Sequence, residues 1–441
     1  MNPAPSLPAR SRPLLKILGV GFGISVTIGG TIGTGILRKP GLIADNLRSP
    51  VWIMGVWALV GLYALLGTLC VIELGVMVPR AGGWYPFARR AFGNYVGFII
   101  GWSSWLGSAA GMAFSAYTMC EYIALLLPAT TNYVPTMAVA TLLVFAVFHW
   151  IGLKTASRAQ EIMSFVKAVG LFGLVAVCFI FGGGEGIARP VVTTISPEKP
   201  FLLGLITALQ AIFYTYDGWH TAAYFAEENT NPAKTLPRSM VSGTLLIITI
   251  YLLVNLALLY VMPLDQLAQS KLPAADAVRL IFGERSGQLI TLLLLISVLG
   301  IINAQIMFNP RVLYALSRDG LFLKQGTYVN AGGTPGTAML LTAGMSILLI
   351  VSGTYARLSD IATFFFVLCN GSGMAALLRL RQTEPDLPRP YKVWGYPLVP
   401  WAVLVASAAF LAGAVWGDPN SSAYALGFLV LSYPLYRLVA R

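Results

Sequence analysis

The stretch GGTIGTG, Gly29–Gly35, places four glycines in seven residues inside an apolar run from Leu14 to Leu37. Glycine costs a helix interior about 0.5–1 kcal/mol relative to alanine, so this run is expected to break near its middle. A second apolar run, near 200–228, is interrupted by Tyr214-Thr215-Tyr216-Asp217-Gly218-Trp219. A broken helix leaves free N–H groups on one side of the gap and free carbonyls on the other. The N–H end carries the positive end of a dipole and suits an anion such as a carboxylate. The carbonyl end suits an ammonium, so a zwitterion would use both. A second charged group besides Asp217, Lys167 in FVKAVG, stands about seven residues into another apolar run, on the order of 10 Å deep at 1.5 Å per residue.

Bond-making chemistry has little to work with. His149 and His220 are far apart in sequence, and no H-E-x-x-H or Ser/His/Asp set accompanies them, so an enzyme is not expected. No cysteine pair has metal-ligand spacing. Cys70, Cys120, Cys178 and Cys369 read as small buried hydrophobes. Neither a metal nor a cofactor is expected.

The elements that must position these residues are membrane helices. Only 10% of the 441 residues are charged, against roughly 25% in a soluble protein, and the mean hydropathy is +0.74. Apolar stretches of about 20 residues, long enough to span a bilayer, fall near 14–37, 51–78, 94–127, 133–151, 161–182, 200–228, 239–262, 286–316, 335–353, 359–380, 397–416 and 422–440. That makes twelve spans in an all-α integral membrane protein. The first is too long for a signal-peptide core and reads as retained. Short alternating β-barrel segments are absent.

The net charge of +12 reports topology, not a nucleic-acid partner. With the N-terminus inside, 19 of the 29 lysines and arginines, from Arg10 and Arg12 to Arg437 and Arg441, fall in inner segments. This positive-inside bias predicts that both termini are cytoplasmic. The first outer loop runs against it, with Arg38, Lys39 and Arg48.

Irregular backbone at membrane depth is tolerated only where it is buried in protein or lines a cavity, so each break marks a candidate site. Taken alone, the first also fits a helix-packing face, because Gly29 and Gly33 are four apart. The second break shifts that reading. An aspartate at a helix centre costs roughly 2.5–3.5 kcal/mol on insertion scales. The first and sixth spans open successive groups of five, which run through the membrane in opposite senses. Paired interrupted spans in such inverted repeats point to the binding site of a secondary transporter.

GGTIGTGIL resembles the first-span motif of the amino acid–polyamine–organocation (APC) superfamily. Glu73-Leu74 with Pro79-Arg80-Ala81-Gly82-Gly83, AEENTNPAKTLPRS (Ala226 to Ser239) and RVLYALSRDGLF (Arg311 to Phe322) are similar to the ends of its second, sixth and eighth spans. The four motifs follow the family's order from about 20 to 390, and the nearest branch looks like the L-type amino acid transporters and their bacterial relatives. The resemblance implies a LeuT-type fold: a cytoplasmic tail (1–13), a first repeat (14–182), a second (200–380), and two extra spans with the C-terminus (397–441). It implies sodium-independent transport of neutral L-amino acids by alternating access, as an exchanger, with a proton-coupled symporter as the alternative and an amino-acid-sensing protein or channel more distant. Carried over by position, the N–H groups of Gly33, Thr34 and Gly35 would hold the substrate carboxylate. Carbonyls of Thr31, Thr34, Tyr214 and Asp217 would receive the amine. Tyr214 would close over the substrate, with Gly218 and Trp219 at the break. Lys167 matches a fifth-span lysine whose ammonium stands where sodium-coupled relatives place sodium. Snorkelling to the interface is its alternative, and an amine at that depth leaves proton coupling open.

The chain departs from that branch at Asp217, where L-type transporters often have glycine. A carboxylate there could attract a cationic side chain, strengthen amine binding, carry a proton, or simply cap the broken helix. The loop PATTNYVP lacks the cysteine that animal relatives use to bond a glycoprotein, so no disulfide-linked heavy subunit is expected. The partners are a small amino acid and the lipid bilayer. Glu73, Glu228 and Arg311 are candidates for a cytoplasmic gate, although a plain surface pair would also account for Glu227 or Glu228 with Arg311 or Arg318. Glu121 has no assignment, and Phe364, Phe365 and Phe366 read as packing or pocket wall. Short termini and compact loops favour a bacterial inner membrane.

Overall fold

The computed structural model describes residues 12–188, 200–417 and 419–439. Residues 1–11 of the expected tail, with Arg10, lie outside the described residues, as does Arg441. Among the described residues the chain is helical throughout, and its one extended pairing is an isolated bridge between Leu18 and Asn229.

Span 1 is two helices, α1 (Val20–Thr31) and α2 (Gly35–Leu47), bent by 43° at Ile32-Gly33-Thr34. α3 (Pro50–Met77) is span 2, and α4 (Trp84–Phe92) is a short connector. α5 (Asn94–Leu126), α6 (Val134–Ile151) and α7 (Leu153–Phe181) are spans 3 to 5. After the short α8 (Glu185–Ala188), span 6 consists of α9 (Phe201–Tyr216), an irregular turn at 217–220, and a 3₁₀ segment Thr221–Glu228. α10 (Pro232–Val261) is span 7, and α11 (Leu264–Gln269) and α12 (Pro273–Phe282) cap its far end. α13 (Gly287–Phe308) with α14 (Pro310–Arg318) is span 8. α15 (Gly336–Val351), α16 (Tyr355–Thr383), α17 (Leu398–Gly417) and α18 (Pro419–Val439) complete the chain. Ten of these spans are long and apolar enough to cross a membrane, the bent pair makes an eleventh, and α15 is a shorter apolar helix. Proline at the first turn opens α3, α10, α12 and α14, where its missing N–H leaves no helical bond unmade.

The largest boundary difference from the sequence reading is at span 1. The apolar run ends at Leu37, yet α2 continues through Arg38 and Lys39 to Leu47. Its polar positions line an aqueous vestibule, so hydropathy alone closes the span too early.

α1 packs against α10, α7 and α13 at the centre of the bundle. The glycines at its break stand in two different settings. Gly29 is a packing residue, since a Cβ there would lie 1.6 Å from Gln160 Nε2, whereas Gly33 borders a cavity. The breaks of spans 1 and 6 cross in contact. Gly218 has φ +110°, and a Cβ on it would meet the Gly30 carbonyl oxygen at 2.5 Å. Glycine alone satisfies both the conformation and the approach. Gly218→Ala is therefore expected to destabilise the protein by at least the 1–3 kcal/mol typical of overpacking, seen as a lowered Tm of the purified protein. An unchanged Tm would show that the crossing relaxes freely.

Candidate substrate site at the crossed helix breaks

A cavity lies where α1 and α9 end and α2 begins. Gly33, Thr34 and Gly35 form one wall. Thr34 is the N-cap of α2 and Gly35 its first residue. The first N–H groups of a helix lack intrahelical partners, so this wall offers donors and the positive end of the α2 dipole. The Thr34 carbonyl is turned the other way, accepting the Leu37 and Arg38 N–H groups at 3.2 and 3.1 Å.

Thr31, Tyr214 and Asp217 complete the polar surroundings. The Thr31 carbonyl lies 3.1 Å from the Tyr251 hydroxyl, which also lies 2.9 Å from the Thr215 carbonyl. One phenol on α10 thus serves the carbonyl ends of both broken helices. Tyr214 stands between the cavity and a larger vestibule and lines both. Asp217 ends α9, its N–H donating to the Phe213 carbonyl at 3.0 Å. It borders the main cavity and a second, small one shared with Tyr63 and Asn370. Trp219 faces only the second. It braces the break, with its ring 6.1 Å from that of Trp84 and packed on Gly67.

Lys167 does not snorkel. It is 0% exposed, and its Nζ donates to the Ile32 carbonyl at 2.6 Å. It also stands against Gly300, where a Cβ would lie 3.0 Å from Nζ. The ammonium thereby ties the span-1 break to spans 5 and 8.

Ion pairs cluster at the end of the bundle opposite the vestibule. Arg311 grips Glu228 with Nε at 2.5 Å and Nη2 at 2.7 Å. Their side chains are 3% and 0% exposed, so this is no surface pair. Glu73, 0% exposed, receives Arg381 bidentately at 2.7 Å and the Val393 N–H at 2.6 Å, with Arg389 Nε at 3.5 Å. Glu227 pairs with Arg318 at 2.8 Å, and Asp319 with Arg89 at 2.5 Å. The half-buried Glu227–Arg318 pair does sit near the surface. Glu121 is exposed at the far end of α5. Phe366 lines the cavity, Phe364 the vestibule, and Phe365 packs on Phe428.

Three contributors escaped the sequence reading. Tyr251 is a hydroxyl inside an apolar helix, which was its only signal. His220 and Gln305 line the cavity, and each carries a buried polar atom without a hydrogen-bond partner. His220 sits among the rings of Trp84, Trp219 and Tyr224. Among the described residues no group of His, Cys, Asp and Glu could hold a metal ion, and all four cysteines are free and buried.

The amino acid permease family model matches residues 23–435. The chain belongs to this family, within the APC superfamily. It is similar to the serine/threonine exchanger SteT of Bacillus subtilis, with 26% identity over 432 residues and 96% of each chain covered. It is 27% identical over 425 residues to the mouse b(0,+)-type amino acid transporter 1, covering 93% of this chain and 85% of that one. The rabbit large neutral amino acids transporter small subunit 2 is 26% identical over 438 residues, with 96% and 80% covered. The permease is a multi-pass membrane protein, and these relatives are transporters, not enzymes.

Removing one partner of a buried ion pair leaves an uncompensated charge, at a cost of about 3–5 kcal/mol. Arg311→Ala is expected to lower Tm by a corresponding amount and to expose a cysteine placed at Ser317 to a membrane-impermeant thiol reagent. Arg311→Met with Glu228→Gln should recover much of the stability while leaving that cysteine reactive. A protected cysteine in both variants would show that the pair does not close this end.

Proposed function

We propose that the permease exchanges neutral L-α-amino acids across the membrane without sodium. The observation that carries this is the convergence of the N–H end of α2 and the carbonyl ends of α1 and α9 on one cavity. In this reading Gly33, Thr34 and Gly35 hold the carboxylate, with the Thr34 hydroxyl assisting. The ammonium is received at the carbonyl ends around Thr31, Tyr214 and Asp217. The fixed ammonium of Lys167 at the Ile32 carbonyl supplies the positive charge beside the break, so that no sodium ion is called for. The names of the relatives support exchange and neutral substrates.

Transport proceeds by rocking between two five-span repeats, residues 14–182 and 200–380, around the crossed breaks. In this reading the ion-paired end and both termini face the cytoplasm and the vestibule faces outside, with Tyr214 as its gate, an orientation that the positive-inside bias supports. Glu73, Glu228 and Arg311 then belong to the cytoplasmic gate. The loop between spans 3 and 4 offers no cysteine, so the chain works without a disulfide-linked subunit. A proton-coupled symporter is the second reading, favoured by two ionisable side chains, Lys167 and Asp217, at the breaks themselves.

Counterflow in proteoliposomes decides between them. In sodium-free buffer, vesicles loaded with an unlabelled amino acid are expected to take up labelled amino acid at least about tenfold faster than empty ones. Lys167→Ala should abolish this. Accumulation by empty vesicles only under an inward proton gradient would replace exchange with symport.

A further inference from the structure

We infer that the cavity holds a side-chain subsite, formed by His220 and Gln305, that selects an amino acid ending in a carboxamide, such as glutamine. This rests on the amino acid transport reading and names the substrate class of the same site. Both residues line the cavity. His220 Nδ1 and Gln305 Oε1 are buried and have no hydrogen-bond partner among the described residues, and His220 as a whole is 6% exposed. A buried polar group left unpaired is costly, and a ligand that pairs it removes that cost. Comparable side chains elsewhere in the bundle are paired. His149 Nε2 lies 2.9 Å from Asn303 Oδ1, and Gln160 Nε2 donates to the Ser164 hydroxyl at 3.0 Å.

Position decides which part of a substrate meets these two groups. Ile301 stands against Gly33, where a Cβ would lie 2.3 Å from Ile301 Cδ1, so it marks the carboxylate end of the cavity. Gln305 lies four residues further along α13, on the same face and about 6 Å on, in the direction of Arg311. His220 follows Asp217 by three residues, on the way to Glu228. Tyr224 joins the two walls, its ring 5.8 Å from that of His220 and 5.0 Å from that of Phe308, three residues past Gln305. With the carboxylate at Gly33–Gly35 and the ammonium at the carbonyl ends, the side chain is the part left to point this way. A serine hydroxyl, on the first side-chain carbon, falls short of a group one helical turn away. A carboxamide at the end of a two-carbon chain reaches it.

The chemistry of the pair fits the same group. An imidazole and an amide between them offer both donors and acceptors. A carboxamide carries an NH₂ donor and a carbonyl acceptor, so it pairs with either tautomer of the ring and either orientation of the glutamine amide. Leucine has a similar shape but would leave both groups buried and unpaired. The His220 ring is packed by Trp84 and Trp219 at 4.9 and 5.2 Å, so little ordering is needed when a ligand binds. Asp217 is the one Asp, Glu, Lys or Arg among the described residues that line the cavity. The proposed function commits it to the α-ammonium, and a cationic side chain would compete for it.

Counterflow of labelled L-glutamine, L-leucine, L-serine and L-arginine is measured with the full-length permease, in vesicles loaded with all four unlabelled. The wild-type kcat/KM for glutamine is expected to exceed that for leucine by about tenfold or more. Gln305→Leu and His220→Phe, with Tm measured for each, should each lower the glutamine-to-leucine ratio at least about fivefold. Unlabelled glutamine should also compete better than serine or arginine against labelled glutamine in the wild-type chain, a result that needs no variant to fold. A wild-type preference for leucine, serine or arginine, or a ratio unchanged in either folded variant, would overturn the subsite while leaving amino acid transport standing. Failure of the wild-type chain to move any of the four would overturn the transport reading, and the subsite with it.

Discussion

Backbone groups in hydrocarbon must find partners inside the protein, and each unpaired one costs several kcal/mol. The rest of this structure follows from how the two helix breaks meet that demand. The Ile32 carbonyl takes the ammonium of Lys167, while the carbonyls of Thr31 and Thr215 share the hydroxyl of Tyr251. The N–H end of α2 faces the cavity. The breaks are thus satisfied on the side that holds them together and open on the side that can receive a ligand. Rings around Tyr251 keep its hydroxyl in place, with Trp57 at 5.5 Å and Tyr216 at 4.8 Å.

A second polar group of residues fixes α1 from behind. Ser164 donates to the Ser25 carbonyl at 2.6 Å, Asn303 to Gln160 Oε1 at 2.8 Å, and His149 Nε2 lies 2.9 Å from Asn303 Oδ1. These bonds join spans 1, 4, 5 and 8 close to the glycine that Gln160 packs against. A buried network of this kind is stabilising only when its members are paired, which suits a region that must hold its register. Histidine here serves structure, in keeping with the absence of a catalytic set in the sequence.

The fold was legible because membrane spans announce themselves by length and hydropathy, and because Gly29–Gly35 and Asp217-Gly218 contradict their surroundings. Lys167 was legible for the same reason. Ile32, its partner, carries no such signal, since a carbonyl that accepts a bond looks like any other in sequence. Tyr251 and Gln305 were hidden because tyrosine and glutamine occur in packed helices without functional consequence, and only their facing direction distinguishes them. The sequence left the Glu228–Arg311 pair between a gate and a surface pair because charge normally sits at the surface. Its burial depends on the 3₁₀ segment Thr221–Glu228 turning inward, which is a tertiary result. The span-1 boundary moved because an amphipathic half-helix beside water does not look like a membrane helix.

The ion pairs have a consequence for energy balance. Glu73, Glu227, Glu228 and Asp319 each join segments distant in sequence, and all of them lie at the same end. At the other end, Arg48 with Asp45 and Asp265 lies on the rim of the vestibule and leaves it open. Under the alternating-access reading proposed above, such clasps favour the form with the vestibule open before any ligand arrives. Reorientation then has the character of a cooperative release, because freeing one carboxylate does little while the others still hold. Weakening a single clasp would change how long the molecule rests in each orientation before it changes what the molecule can bind.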